Sequence, residues 1–188
     1  MNSPLTILGI AGSLRQGSYN RMALRAAQQL APEGVKLETF DLNGIPVFNQ
    51  DEEKSPPAIV TEFKKRIRAA DAILIATPEY NYSVPGVLKN AIDWASRPYG
   101  DSAWSGKPVA IMSAAAGTAG GLRAQYQLRQ CFVFLNMEAV VQPEVAIAAA
   151  HQRFDDKGAL TDENSKKMIA QLLQNLVAKV RLARQAKK

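Results

Sequence analysis

The chain has few of the features that mark secreted, membrane or metal-binding proteins. Its 188 residues include one cysteine, Cys131, so no internal disulfide can form and a reducing cytoplasm is the expected setting. No apolar run is long enough to span a bilayer, which predicts no membrane partner. The apolar residues at the start of the chain favour a buried strand over a signal peptide. With a single histidine, His151, the sequence predicts no metal site.

The net charge of +6 is concentrated in one segment. Seven Lys and Arg but only two acidic residues lie within 161–188, so most of the excess belongs to the last predicted helix and its tail, KVRLARQAKK. Basic residues at the end of a helix complement its dipole. No aromatic-rich basic patch accompanies them, and we therefore expect no nucleic-acid partner.

Short apolar runs alternate with helical stripes along the chain. Five strands are predicted: LTILGIA (5–11), VKLETFD (35–41), AILIATP (72–78), KPVAIMSAA (107–115) and EAVVQPEVAI (138–147). Three helices carry apolar stripes, formed by Met22, Ala23, Ala26, Ala27 and Leu30, by Ile59, Val60, Phe63, Ile67 and Ala70, and by Ile169, Leu172, Leu173, Leu176 and Val180. This alternation is typical of parallel βαβ units. We expect residues 1–188 to form one α/β domain of three layers, with helices on both faces of a five-stranded parallel sheet.

The stretch IAGSLRQGSYNR (10–21) follows the first predicted strand and precedes a helix, a common place for phosphate binding. It is not a P-loop, because Ser18 and Tyr19 stand where the lysine and hydroxyl residue would follow Gly17. It also lacks the spacing of the dinucleotide fingerprint, and Asp41 is too far along the chain for that motif. What remains suits one terminal phosphomonoester, held by Ser13, Arg15, Ser18 and Asn20. A serine-rich turn with a surface arginine is the alternative.

Two further loops follow the third and fourth predicted strands. PEYNYSVPG (78–86) is stiffened by Pro78 and Pro85 and offers an aromatic platform with exposed backbone N–H groups. SAAAGTAGG (113–121) has small residues that allow close approach of a bound ring. Each loop alone is also compatible with a simple connector. In the strand order 2-1-3-4-5, however, the first, third and fourth strands are neighbours, so the three loops converge on one crevice. The Pro- and Asn-rich loop 42–57 is also longer than a connector requires.

The motifs GSLRQGSYN and PEYNYSVPGVLKNAIDW resemble those of the flavodoxin-like NADPH-dependent FMN reductase family, particularly its bacterial quinone and chromate reductases. The resemblance implies FMN as cofactor and NADPH or NADH as electron donor. It implies that the phosphate-loop residues hold the FMN phosphate and that the later loops contact the isoalloxazine ring, with the backbone N–H near Asn81 facing its reactive edge. The residues implied are Ser13, Arg15, Ser18, Tyr19, Asn20, Pro78, Glu79, Tyr80, Asn81, Tyr82, Ser113 and Gly117.

The expected activity is NAD(P)H oxidation by ping-pong hydride transfer through FMN. Quinones, chromate, azo and nitro compounds or free flavin are the expected acceptors. Flavin supplies the redox chemistry, so no side chain is expected to be catalytic. His151 is expected to be a surface or structural histidine, and Cys131 is expected to pack in the core. A flavodoxin-like electron carrier and a non-catalytic FMN-binding module are the alternatives.

The predicted helix 121–137 is apolar almost all round in its second half. Leu128, Cys131, Phe132 and Leu135 can face the sheet, whereas Tyr126, Val133, Phe134 and Met137 cannot all do so. We therefore expect part of this helix to be buried against another copy of the chain. The resemblance likewise implies a homodimer or homotetramer.

Overall fold

Six parallel strands form one sheet in the computed structural model, which describes residues 4–185. The strands are β1 (Leu5–Ala11), β2 (Val35–Phe40), β3 (Ala72–Thr77), β4 (Pro108–Ala114), β5 (Glu138–Ala139) and β6 (Val145–Ile147). Their order is β2-β1-β3-β4-β5, with β6 also paired to β4, which confirms the predicted order. The end of the basic tail, residues 186–188, lies outside the described residues.

The fifth predicted strand, residues 138–147, is two short strands instead of one. β5 pairs with Pro108 and Val109, and β6 pairs with Met112 to Ala114 on the same edge of β4. Between them lies Pro143, which has no N–H to donate to a strand ladder. The prediction of five strands was therefore wrong in number, although the sheet edge that it placed there is correct.

Within residues 4–185, five helices cover the two faces of the sheet, which confirms the prediction of helices on both faces. They are α1 (Tyr19–Gln29), α2 (Ala58–Ala69), α3 (Gly86–Ala95), α4 (Leu122–Phe134) and α5 (Glu163–Gln185). One buried cluster joins α1 and α5 to one face, and a second joins α2, α3 and α4 to the other. Alternate strand residues such as Ile7 and Leu8 point to opposite clusters, because side chains alternate along a strand.

All three predicted helical stripes face the core. Most of their members are buried, while Met22, Leu30 and Ile59 are partly exposed at the margins. Phe63 and Ile67 are completely buried, and burying such a side chain contributes about 1.5–3 kcal/mol. None of the helices within residues 4–185 is long and apolar enough to cross a membrane.

Candidate functional site

The carboxyl ends of β1, β3 and β4 lie side by side, so the loops that follow these strands share one edge of the sheet. β1 pairs with β3, and β3 pairs with β4. The start of the first loop is held to β3, where the Gly12 N–H donates to the Ala76 carbonyl at 2.8 Å. The convergence that was predicted from the sequence is therefore present.

The first loop, residues 12–18, presents backbone donors at the start of α1. Ser18 caps the helix, since its Oγ accepts from the Asn20 N–H at 3.2 Å. No hydrogen bond from the N–H groups of Leu14, Gln16, Gly17 or Tyr19 occurs within the described part of the chain. Unpaired N–H groups at a helix N-terminus bind anions, because the helix dipole adds a partial positive charge there.

Two side chains of the first loop are placed to add to this donor set. Ser13 is buried, and its Oγ accepts a hydrogen bond from the Arg15 backbone N–H at 3.3 Å. The Arg15 side chain is exposed, with its guanidinium 5.5 Å from the centre of the Tyr19 ring. The loop therefore carries a long, exposed cationic side chain close to its free N–H groups, and this combination favours anion binding.

Asn20 is buried and holds the start of α1 to the end of β4. Its Nδ2 donates to the Ala114 carbonyl at 2.8 Å, and its Oδ1 accepts from the Ala114 N–H at 3.0 Å. One side chain thus satisfies both backbone groups at the end of β4. One N–H of the Asn20 amide remains for a further partner, since the group has two donors.

The second loop contains a tight turn, Tyr80–Ser83. The Tyr80 N–H donates to the Ser83 carbonyl at 3.2 Å, and the Ser83 N–H donates to the Tyr80 carbonyl at 2.9 Å. The two central residues, Asn81 and Tyr82, have φ of 50° and 64°. This is the left-handed region that costs a residue with a Cβ about 1–2 kcal/mol.

The strained turn exposes two backbone donors. The N–H groups of Asn81 and Tyr82 make no hydrogen bond to any described residue. The Tyr80 and Tyr82 side chains are also exposed, at 52% and 66%. Backbone strain in an exposed turn that also has free hydrogen-bond donors is typical of a binding site.

Helix α4 holds this turn through residues that sequence reasoning missed. The Arg123 N–H and Nη1 donate to the two Glu79 carboxylate oxygens, each at 2.9 Å, and the guanidinium lies 4.0 Å from the centre of the Tyr82 ring. Gln127 contacts Tyr82 and Ser83. The spacing of Arg123 and Gln127 places both on one face of the helix, and that i, i+4 pair of polar residues was the available signal.

The third loop contributes one buried and one open position. Ser113 is fully buried, and its Oγ accepts from Gln125 Nε2 at 2.7 Å. Gln125 Nε2 also donates to the Val145 carbonyl at 2.9 Å, which joins α4 to β6. Gly117 is exposed, and a Cβ added there would meet no atom within 4 Å. The loop therefore leaves open space at Gly117.

Loop 42–57 is tied to α3. The Pro46 carbonyl accepts from Trp94 Nε1 and from Asn90 Nδ2, each at 2.8 Å. The Phe48 ring packs edge-on against the Trp94 ring, with centroids 5.0 Å apart. Its length is thus explained by packing on α3, in addition to any contribution to binding.

The single histidine and cysteine lie apart from these loops in the sequence. His151 is exposed in a short 3₁₀ turn, Ala150–Gln152. Cys131 is partly buried on α4, where burial raises the pKa of its thiol. The thiol is therefore neutral near pH 7 and a poor nucleophile.

Comparison with known proteins gives one consistent result. Residues 5–152 match the family model described as NADPH-dependent FMN reductase. The chain is 52% identical to an NAD(P)H-dependent FMN reductase of Pseudomonas aeruginosa, over 98% of this chain and 100% of that protein. It is 46% identical to a quinone reductase of Pseudomonas putida, over 87% of this chain and 88% of that protein.

A solved structure with the same fold is the flavoenzyme NAD(P)H:(acceptor) oxidoreductase FerB from Paracoccus denitrificans. It is 33% identical in sequence, and the TM-score is 0.87. The comparison covers 95% of this chain and 98% of that one. The likeness therefore extends over the sheet, the helices and the three loops at its carboxyl edge.

Proposed function

The chain belongs to the NADPH-dependent FMN reductase family, and from this premise we propose that it binds FMN between the three loops and uses NAD(P)H to reduce quinones. The observation that carries the proposal is that two sets of free backbone donors lie at the same end of the sheet. Unpaired N–H groups lie at the start of α1, and two more lie on the strained turn at Asn81 and Tyr82.

The residues present fit FMN. Its phosphate matches the N–H groups of the first loop and the Arg15 side chain. The polar edge of its ring matches the free N–H groups of Asn81 and Tyr82, and the exposed Tyr80 and Tyr82 side chains can border the ring. The open space at Gly117 admits a flat group. These matches support Arg15, Tyr80, Asn81, Tyr82 and Gly117 among the predicted site residues.

Bound FMN would supply two-electron chemistry between NAD(P)H and a quinone, proposed to follow a ping-pong cycle in which solvent provides the second proton of the hydroquinone. The protein's own part is to bind the cofactor and to orient it. Backbone N–H groups aimed at the ring favour the added negative charge of its reduced form. Asn20 aligns the first and third loops through Ala114, and Arg123 neutralises Glu79 beside the turn.

The range of acceptors is proposed to be broad. Chromate, azo and nitro compounds and free flavin can draw electrons from an exposed reduced ring, and the tyrosines and Gly117 that would border the ring are open to solvent. NADPH and NADH are both proposed as donors. The test is NAD(P)H oxidation by the FMN-loaded protein across a panel of these acceptors. Oxidation that requires both FMN and an acceptor supports a reductase, whereas background rates indicate a carrier or a binding module.

The Arg15 side chain is expected to supply much of the affinity for the FMN phosphate. Arg15→Ala removes a charge-assisted contact of about 1.5–3 kcal/mol, which is a rise of about 10- to 100-fold in the Kd for FMN. Arg181→Ala is the matched control. Arg181 is exposed on α5. It lies near Arg184, which pairs with Asp71 at the amino ends of the strands, away from the three loops. Fluorescence titration of the apoprotein with FMN measures both, and equal Kd values would contradict the assignment of Arg15.

The surface of α4 supports the expected homodimer or homotetramer. Val133 and Phe134 are 82% and 77% exposed, whereas Leu128 and Phe132 on the same helix are buried. Phe134 and Phe48 both line an open cavity of about 410 Å³ between α3 and α4. Apolar side chains clustered at an open cavity are typical of an interface between subunits.

Substituting Phe134 tests this interface. Phe134→Asp is expected to shift the protein to monomers, because a carboxylate would be desolvated at the interface. Leu182→Asp on α5 is the control, since Leu182 is 66% exposed and distant in sequence from the cavity. Light scattering gives the mass of each variant. A wild-type protein that is monomeric at micromolar concentration would refute the proposed assembly.

We propose that the whole chain acts as one FMN-binding domain. The single sheet, with one buried cluster on each face, supports that description. The lone cysteine supports a reducing, cytoplasmic setting.

A further inference from the structure

Gln127 of α4 contacts the Tyr80–Ser83 turn with both ends of its amide. Its Nε2 donates to the Tyr82 carbonyl at 3.0 Å, and its Oε1 accepts from Ser83 Oγ at 2.6 Å. A carboxamide offers a donor and an acceptor side by side, so one side chain matches a carbonyl and a hydroxyl together. The contacts span 44 and 45 residues of sequence and join the helix to the turn.

The turn's own two backbone hydrogen bonds join Tyr80 and Ser83 and leave the Tyr82 carbonyl and the Asn81 and Tyr82 N–H groups to other partners. Asn81 and Tyr82 both have positive φ without being glycine. The hydrogen bonds from Gln127 fix the Tyr82 carbonyl, and the Arg123 guanidinium lies against the Tyr82 ring. Without Gln127, rotation toward unstrained backbone angles would turn the free N–H groups away from their present direction.

Resting on the proposed function, we propose that Gln127 is a positioning residue, which holds the Asn81–Tyr82 donors so that the site binds reduced FMN more tightly than it otherwise would. The ring gains two electrons on reduction, and N–H dipoles aimed at it stabilise the electron-rich form more than the oxidised form. That preference depends on donors that are already oriented. The phosphate loop binds both forms alike, because the phosphate does not change on reduction.

The direct test compares the two oxidation states. The Kd for oxidised FMN is measured in air, and the Kd for reduced FMN is measured under anaerobic conditions with dithionite. For Gln127→Ala we expect at most a threefold rise for oxidised FMN and a rise about tenfold greater for reduced FMN. Such a tenfold bias lowers the two-electron reduction potential of the bound cofactor by about 30 mV. Gln130→Ala is the control, since Gln130 is exposed on the same helix and makes no hydrogen bond to a described residue.

A second variant separates positioning from loss of structure. Gln127→Met keeps the length of the side chain and adds no charge but can make neither hydrogen bond to the turn, and we expect the same bias against reduced FMN. Thermal unfolding of the apoproteins should match that of Gln130→Ala. Equal losses for both oxidation states, or no loss, would overturn the role of Gln127. If the wild-type chain binds no FMN at all, the proposed function fails instead.

Discussion

Replacing Asn20 with alanine is expected to lower the free energy of unfolding by about 2–4 kcal/mol. The substitution leaves the N–H and the carbonyl of Ala114 without partners, and Ala114 is 2% exposed. Each unsatisfied buried backbone group costs about 1–3 kcal/mol, with part of that recovered if water enters. Chemical denaturation of the apoprotein measures the difference without involving any cofactor.

Two comparisons sharpen the Asn20 result. Asn164→Ala removes an exposed asparagine whose side chain makes one hydrogen bond within the described residues, to the Met168 sulfur at 3.8 Å, and it should change stability by less than about 0.5 kcal/mol. Ser18→Ala removes the cap of α1 and should cost about 1 kcal/mol. If Asn20→Ala is as stable as Asn164→Ala, the link between α1 and β4 through Asn20 contributes nothing to the free energy of unfolding.

The second large effect is expected at Gly121, where the third loop enters α4. Its φ is +90°, and an added Cβ would lie 2.8 Å from the Ser113 Cβ. Gly121→Ala therefore combines backbone strain of about 1–2 kcal/mol with overpacking of about 1–3 kcal/mol. Gly117→Ala is the matched control in the same loop, because its added Cβ meets nothing within 4 Å and its φ is not positive. Chemical denaturation should give free energies of unfolding that differ by several kcal/mol between the two variants. Similar free energies would contradict the packing argument.

A larger side chain at Gly117 separates stability from cofactor binding. Gly117→Leu should leave the apoprotein as stable as the wild type, because the position is open. If the ring lies beside Gly117, the same variant should weaken FMN binding by at least tenfold. Stability and affinity are thus expected to respond independently at two glycines of one loop.

The sequence predicted the scaffold well because local patterns determine it. The first four strands begin and end within one residue of their predicted bounds, since each is a short apolar run bounded by polar or turn residues. The convergence of the loops followed from strand order alone. The split of the fifth strand was missed, since a single proline inside an apolar run weakens a strand without indicating that pairing resumes beyond it.

The contacts that shape the site could not be read from local patterns. Asn20 bonds Ala114 across 94 residues, and Glu79 bonds Arg123 across 44. Neither pair has a signature in the sequence near it. The turn at Asn81 and Tyr82 lacks the glycine that usually marks such backbone angles, so its geometry appears only in the structure.

The site therefore depends on α4 as much as on the loops that carry its motifs. Arg123 and Gln127 hold the turn, Gln125 holds Ser113, and the exposed Phe134 lies further along the same helix. Phe134 follows Gln127 by seven residues, or about two helical turns, so a subunit interface at Phe134 would lie on the same face of α4 that contacts the Tyr80–Ser83 turn.

The most direct test of the account is the visible absorbance of the FMN-loaded protein, followed anaerobically on mixing first with NADPH and then with a benzoquinone. We predict that the oxidised flavin band disappears with NADPH alone and returns fully with the quinone, because both reactions use the same bound cofactor. A protein that takes up no FMN, or a flavin band that NADPH leaves unchanged, would contradict the account.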